Sequence, residues 1–524
     1  MKRREFIKKA AVGSAGLAGS FLLPKFLRDE KPISMGNPNF QPDVEIELTA
    51  LESEIPILPG KYTKVWKYRA KLVKGPPGTI QELKNTYIGP IFRFKKGQKV
   101  RIIFYNHIPD KTIVHWHGLH VPQEADGHPR FVIKKGQRYV YEFEIKNRAG
   151  TYWFHPHPHG RTGPQVYMGL AGLLLITDEE ENSLPLPREE FDVPIVIQDR
   201  TFNGRNQLVY LMGGMMERMR GFLGEQILVN GQPNFTLNVS TSVYRLRVLN
   251  GSNSRIYKLA WSNGMPLTVI GTDGGLLEKP ITKNYIMLGP AERVDLWVDF
   301  TNLNPGDELV LKSLAFSGAA TGGMGGGMMG RDRGRRMGRG NVPDNGEELD
   351  VLRVKITRRV KNSLKLPEKL SRIEHYNLGE AVNKNSPRTF RFEMRRMRPT
   401  INGRTFQMTA VAKDEIVKLN TLEVWELVNA SGGMGMMGGM MQMPHPVHIH
   451  GLQFQVIERT PSIGWETIRD GFIDSGWKDT VLLMPGMRVK VLMKFEDFTG
   501  LYLYHCHNLE HEDLGMMRNY LVKA

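Results

Sequence analysis

These 524 residues point to an all-β chain of about three similar domains. Three observations carry that expectation. Short apolar or alternating runs dominate, and no long amphipathic helical pattern stands out. Two strand motifs recur three times in the same order. The length exceeds what one hydrophobic core fills.

The first motif is a strand that ends in asparagine. "KVRIIFYNHI" (99–108), "YRLRVLNGS" (244–252) and "EVWELVNAS" (423–431) place Asn106, Asn250 and Asn429 at that point. The second is a turn, an arginine and an alternating strand. It appears in "KKGQRYVYEFEI", "GPAERVDLWVDF" and "MPGMRVKVLMKF", with Arg138, Arg293 and Arg488. Three β-domains over 44–180, 190–360 and 385–524 are the economical reading. The charged, Pro-containing stretches "DEEENSLPLPREE" and "RRVKNSLKLPEKL" would separate them.

The N-terminus reads as an address. "KRREFIKK" (2–9) precedes "AAVGSAGLAGSFLL" (10–23), a basic region ahead of a small-residue apolar run too short to span a membrane. Arg3-Arg4 with Phe6 and Lys8 resembles the twin-arginine signal, which implies export by that machinery, to the periplasm or beyond, and a signal within residues 1–31. The competing reading is an uncleaved basic anchor helix. Residues 1–31 carry a net +5 of the chain's +17, leaving +12. No interleaved aromatic–basic motif accompanies that charge, so a solvated basic surface is expected, with no nucleic-acid partner and no stable membrane insertion.

Cysteine usage excludes an intramolecular disulfide, because Cys506 is the only one. Methionine is concentrated instead. "GGMGGGMMGRDRGRRMGRG" (322–340), "GGMGMMGGMMQM" (432–443) and Met212, Met215, Met216 and Met219 hold 14 of the 27. The glycine in the two longer stretches favours loops over buried helices.

Ten of the fifteen histidines fall in four motifs: "HWHG" (His115, His117), "HPH" (His155, His157), "HPVHIH" (His445, His448, His450) and "HCHNLEH" (His505, His507, His511). A lone histidine is usually a satisfied polar group, but His-x-His pairs are not lone. Residues i and i+2 of a strand share a face, so two imidazoles converge and the middle side chain points away. Cys506 therefore faces away from His505 and His507, and one short strand serves two sites. A thiolate, two imidazoles and a distant thioether are the ligand set of a blue-copper site. Cys506, His511, the otherwise unpaired His445, and Met516 or Met517 would supply it. One structural zinc would leave eight histidines unexplained. Those eight come four from the first repeat and four from the third. These two domains should meet around the metals, with the middle domain as a spacer.

In this order and spacing the four motifs resemble the three-domain multicopper oxidases over nearly the whole mature chain. The resemblance implies three cupredoxin-like Greek-key sandwiches with few short helices, and four copper ions. A type 1 copper would use His445, Cys506, His511 and Met516, and a type 2 copper His115 and His448. A type 3 pair would use His117, His155, His157, His450, His505 and His507. It also implies dioxygen as electron acceptor, reduced to water, with Asp126 and Glu512 relaying protons from the type 2 and type 3 sides. The Met-rich stretches resemble those of cuprous and metallo-oxidases of the copper-efflux type, since thioethers suit Cu(I). That implies Cu(I), and also Fe(II), as substrate, a role in copper tolerance, and a substrate site drawn from Met441, Met443, Met328 and Met329. One departure stands out: "MMQMPH" offers no acidic residue before His445, and Asp332 is the substitute the other loop contains. The rival readings are a laccase-like oxidase of phenols and aromatic amines, and a non-enzymatic periplasmic copper-binding or scaffold protein.

Overall fold

The computed structural model describes residues 36–319, 342–361, 364–395, 398–430 and 443–524. Residues 1–31, Met328, Met329, Asp332 and Met441 lie outside these. Strands dominate. They form six sheets in three pairs: four and five strands within 44–177, seven and five within 192–358, and five and five within 388–523. The chain is an all-β, cupredoxin-like protein. Among the described residues the α-helices run only four to seven residues, and none is long and apolar enough to cross a membrane.

The first strand, Val44–Ile55, shows how the pattern makes the layer. Val44, Ile46, Leu48 and Ala50 are buried, and the residues between them are partly exposed. The buried side packs on Phe92, Phe94 and Phe154 of the facing sheet. Each unit also has strands buried along their whole length, Gly150–Pro156, Val243–Asn250 and Gly500–Cys506 among them.

Both recurrent motifs lie in one sheet of every unit. The Asn-terminated strand pairs antiparallel with the Arg-led strand: Lys99–Asn106 with Arg138–Glu144, Val243–Asn250 with Arg293–Asp299, and Thr421–Asn429 with Arg488–Phe495. It also pairs in parallel with the first strand of its unit: Val44–Ile55, Asp192–Arg200 and Arg388–Arg395. The asparagines explain their own recurrence. Asn106 donates to the carbonyls of Asp110 and Ile133 at 2.8 and 3.0 Å and accepts from Ile108 N. Asn250 does the same with Arg255, Leu288 and Ser252, and Asn429 donates to Met443 and Leu483. Each ties its strand end to two backbone carbonyls of other segments. Replacing Asn106 by Ala leaves those groups unpaired and costs about 3 kcal/mol, to be read as a lowered thermal midpoint. An unchanged midpoint would contradict this role.

Candidate metal centre

The histidine strands belong to the second sheet of the outer units. Val114–His117 pairs with Gly150–Pro156, setting His115 opposite His155. His445–Ile449 pairs with Gly500–Cys506, setting His448 opposite His505 and Val447 opposite Cys506. The two units meet across these strands, and all ten histidines and Cys506 are buried. The donor atoms gather in sets within 4.8 Å of one another: His115, His117, His448; His117, His155, His507; His157, His450, His505; and, apart from these, His445, Cys506, His511.

Cys506 faces away from the eight-imidazole cluster. Its Sγ lies 3.4 Å from His445 Nδ1 and 3.6 Å from His511 Nδ1. His511 sits on the short helix Leu509–Asp513, whose N-cap Asn508 accepts from His511 N. Met516 shares the buried cluster of Cys506, whereas Met517 packs with Phe406 and Leu503 on the other side of the strand. Met516, and not Met517, therefore lies on the Cys506 side of the strand. Met516 O also accepts from Cys506 N at 3.0 Å, drawing the two residues together. Burial pushes the Cys506 thiol up, so a bound metal must displace its proton.

The cluster's tautomers can be read from its outer partners. Carbonyl oxygens only accept, so the N–H of four rings must sit on Nδ1: His115 to Asp126 O (2.6 Å), His155 to Pro156 O (2.9 Å), His448 to Asp479 O (2.7 Å) and His505 to Cys506 O (3.2 Å). Their Nε2 atoms are bare and point inward. His117 is inverted. Its Nε2 donates to Asp479 Oδ1 at 3.1 Å, leaving Nδ1 bare. Bare nitrogens then face each other, His115 Nε2 to His448 Nε2 at 3.3 Å and His117 Nδ1 to His155 Nε2 at 3.4 Å. Neither contact can be a hydrogen bond. Buried His507 has no partner at either nitrogen. Lone pairs converging without protons between them are what a cation needs, so the donor set fits metal ions. An N-rich cluster beside an N₂S site suits copper.

Burial is the first cause lowering the basicity of every ring, and it takes His155 to about 3 and His448 and His511 to about 4. The rings are thus neutral and ready for metal at neutral pH. In the unfolded chain they return to about 6.5. The unfolded state then binds more protons below that value, so the metal-free protein loses stability as pH falls from about 6.5 toward 4. Buried Asp126 and half-buried Asp513, raised to about 8, and buried Glu512, also raised, act in the opposite sense and cost stability as pH rises, but the ten rings outnumber them. The thermal midpoint of metal-free protein should drop steeply over the acid window. A flat profile would contradict the neutral cluster.

The two sequence-chosen carboxylates border the cluster. Asp126 Oδ2 lies 2.9 Å from His450 Nδ1, while its carbonyl holds His115, so it touches the set containing His115 and the set containing His450. Glu512 accepts from Thr162 Oγ1 at 2.7 Å and stands 3.4 Å from His505 Nδ1 and 3.7 Å from His157 Nε2. Thr162 N donates in turn to Asp513, which lies partly exposed beyond it.

The middle unit is more than the spacer its lack of histidines predicts. Its Met219 carbonyl accepts from His511 Nε2 at 2.9 Å. Its Tyr210, Phe222 N and Asn253 hold Glu510, beside His511, at 2.6, 3.0 and 2.9 Å. Its Arg293 grips Asp479 at 2.7 and 2.6 Å. None of these residues belongs to a metal-ligand motif, and backbone partners such as Met219 O leave no mark in a sequence.

Models of the multicopper oxidase family match residues 65–181 and 380–524. The McoA multicopper oxidase of the hyperthermophile Aquifex aeolicus is 34% identical, with a TM-score of 0.75, over 93% of this chain and 97% of that structure. A laccase of Bacillus subtilis (strain 168) is 28% identical over 84% of this chain and 90% of the laccase. A multicopper oxidase from Campylobacter jejuni, described as a metallo-oxidase, is 26% identical with a TM-score of 0.69, over 92% and 91% of the two chains. A thiolate site, eight imidazoles closing between the outer units and likeness along almost the whole length have one explanation: the chain belongs to the multicopper oxidase family.

Proposed function

We propose that this protein is a metallo-oxidase that takes electrons one at a time from Cu(I), and also from Fe(II), and delivers four to dioxygen, giving water. The observation that carries the substrate is where the thioethers gather. Met212, Met215 and Met216 are 81%, 57% and 43% exposed, on and just before the helix Gly214–Arg220. The same helix ends over His511 through the Met219 carbonyl. Beside it, a cavity of about 70 Å³ is lined by Met443, Pro444, Glu217 and Asp344, next to His445. Ala319 and Val342, on either side of the first Met-rich stretch in sequence, line it too. Glu217 and Asp344 provide acidic groups that the stretch before His445 lacks. Met443 is the member of the expected substrate set within the described residues.

We assign His445, Cys506, His511 and Met516 to a type 1 copper. His115 and His448 go to a type 2 copper, and His117, His155, His507, His157, His450 and His505 to a type 3 pair. Bound there, four copper ions supply one-electron uptake at the thiolate and four-electron reduction of dioxygen at the cluster. Cys506 shares its backbone with His505 and His507, so one chain segment joins the two sites. Asp126 and Glu512, kept protonated by burial, hold protons within reach of the cluster. The twin-arginine-like N-terminus supports export to the periplasm or beyond, and we propose a role in copper tolerance.

Oxygen uptake with Cu(I), Fe(II) and a phenol, side by side, tests this. Combining Met215→Leu, Met216→Leu and Glu217→Gln should lower Cu(I) turnover about tenfold, about 1.4 kcal/mol, with phenol turnover unchanged. Deleting 322–340 should act in the same direction. Faster turnover of the phenol, or a deletion that only speeds it, returns the laccase reading. Copper-loaded protein with neither blue absorption nor oxygen uptake returns the copper-binding scaffold.

A further inference from the structure

We propose that Arg293 of the middle unit is a positioning residue for the eight-histidine cluster: through Asp479 it determines which ring nitrogen of His117 is bare. This rests on the copper cluster of the family and is independent of the reducing substrate.

Arg293 is fully buried. A guanidinium has five N–H donors, and all five are used in this buried side chain. Nε donates to Thr151 O at 3.0 Å, Nη1 to Ala291 O and Asp479 Oδ1 at 3.1 and 2.7 Å, and Nη2 to Asp273 O and Asp479 Oδ2 at 2.9 and 2.6 Å. Backbone carbonyls of the first and middle units therefore fix the plane of the guanidinium. The fork fixes the plane of the carboxylate in turn. Asp479 Oδ1 also takes the hydroxyl of Thr480 at 2.9 Å and then meets His117 Nε2 at 3.1 Å. Three units are joined in one line: Arg293 from the middle, Asp479 from the last, His117 from the first.

The line has a chemical consequence that simple adhesion between units would not need. Four neighbouring rings place N–H on Nδ1 by donating to carbonyls. His117 alone among the eight donates from Nε2 to a side-chain carboxylate, and so offers Nδ1 to the set with His155 and His507. The glycine of "HWHG" belongs to the same device. Gly118 has φ +87°, and a Cβ there would lie 2.4 Å from Asp479 Oδ2 and 3.0 Å from Arg293 Nη2. The residue after His117 must be bare for the ion pair to lie against it. If the carboxylate is no longer held, His117 Nε2–H keeps only the Thr480 hydroxyl at 3.1 Å, a weaker acceptor than the carboxylate, and an Nδ1–H donated across 3.4 Å to His155 Nε2 competes. That tautomer turns an N–H toward the metal set in place of a lone pair.

Long-range ¹H–¹⁵N correlation on metal-free, ¹⁵N-histidine-labelled full chain reads the tautomer directly, with His117→Asn to assign the ring. The wild type should show His117 as Nε2–H. Arg293→Met should lose that pattern in favour of Nδ1–H or exchange between the two. Arg293→Lys, which keeps the charge without the fork, should fall between. After copper loading, both variants should keep the blue absorption and lose near-UV absorption of the coupled pair, the methionine variant more. An unchanged Nε2–H pattern with full near-UV absorption in Arg293→Met overturns the proposal. If Arg293→Met does not fold, the lysine variant decides by the same two readings.

Discussion

Cys506→Ser abolishes the blue absorption and lowers oxygen consumption at least ~10³-fold, about 4 kcal/mol in barrier, while the eight-histidine cluster still takes up copper. The size of the effect follows from the geometry. Cys506 is the only thiol in the chain, lies 3.4 and 3.6 Å from His445 and His511, and is the residue bonded to both His505 and His507 in the chain. Serine preserves the shape of the buried site but offers a poor ligand for a blue-copper centre. The substitution leaves the cluster's outer hydrogen bonds untouched, so copper content should fall by one ion of four. Normal turnover in this variant would mean that electrons enter elsewhere.

Glu512→Gln is expected to slow turnover by about 10²–10⁴-fold, the span attributed to a positioned proton donor. Burial, reinforced by Asp513, pushes the Glu512 carboxyl well up, so it carries a proton at neutral pH. Glutamine can still accept from Thr162 Oγ1 at the position Glu512 occupies, but has no proton to give. Copper content, blue absorption and anaerobic reduction of the blue centre should be unchanged, and reoxidation by dioxygen should be slow. If anaerobic reduction slows instead, Glu512 acts on electron entry and the proton role fails.

The two predictions rest on residues visible in the sequence, for a physical reason. His-x-His and His-Cys-His encode strand geometry within three residues, so alternation alone says which side chains converge and which oppose. The asparagines and the paired strands of each unit were legible for a similar reason, since a local hydrogen-bonding job recurs at a fixed place in a repeat. Long-range partners were not. Arg293 and Asp479 are 186 residues apart, and no periodicity joins them. Arg293 shares its repeat position with Arg138, which is exposed, and with Arg488, which pairs Glu426 near the surface. Position in the repeat therefore predicted its strand and concealed its burial. The middle unit reads as a spacer in the sequence because it lacks histidines. Its contribution comes through Arg293 and the Met219 carbonyl, groups with no ligand signature.

Counting electrons against oxygen tests the central claim most directly. Copper-loaded protein supplied with limiting Cu(I) in an oxygen-electrode cell should consume one dioxygen for every four Cu(I) oxidised, with no hydrogen peroxide released. One dioxygen for every two Cu(I) with peroxide accumulating, or Cu(I) oxidation no faster than in protein-free buffer, would contradict it.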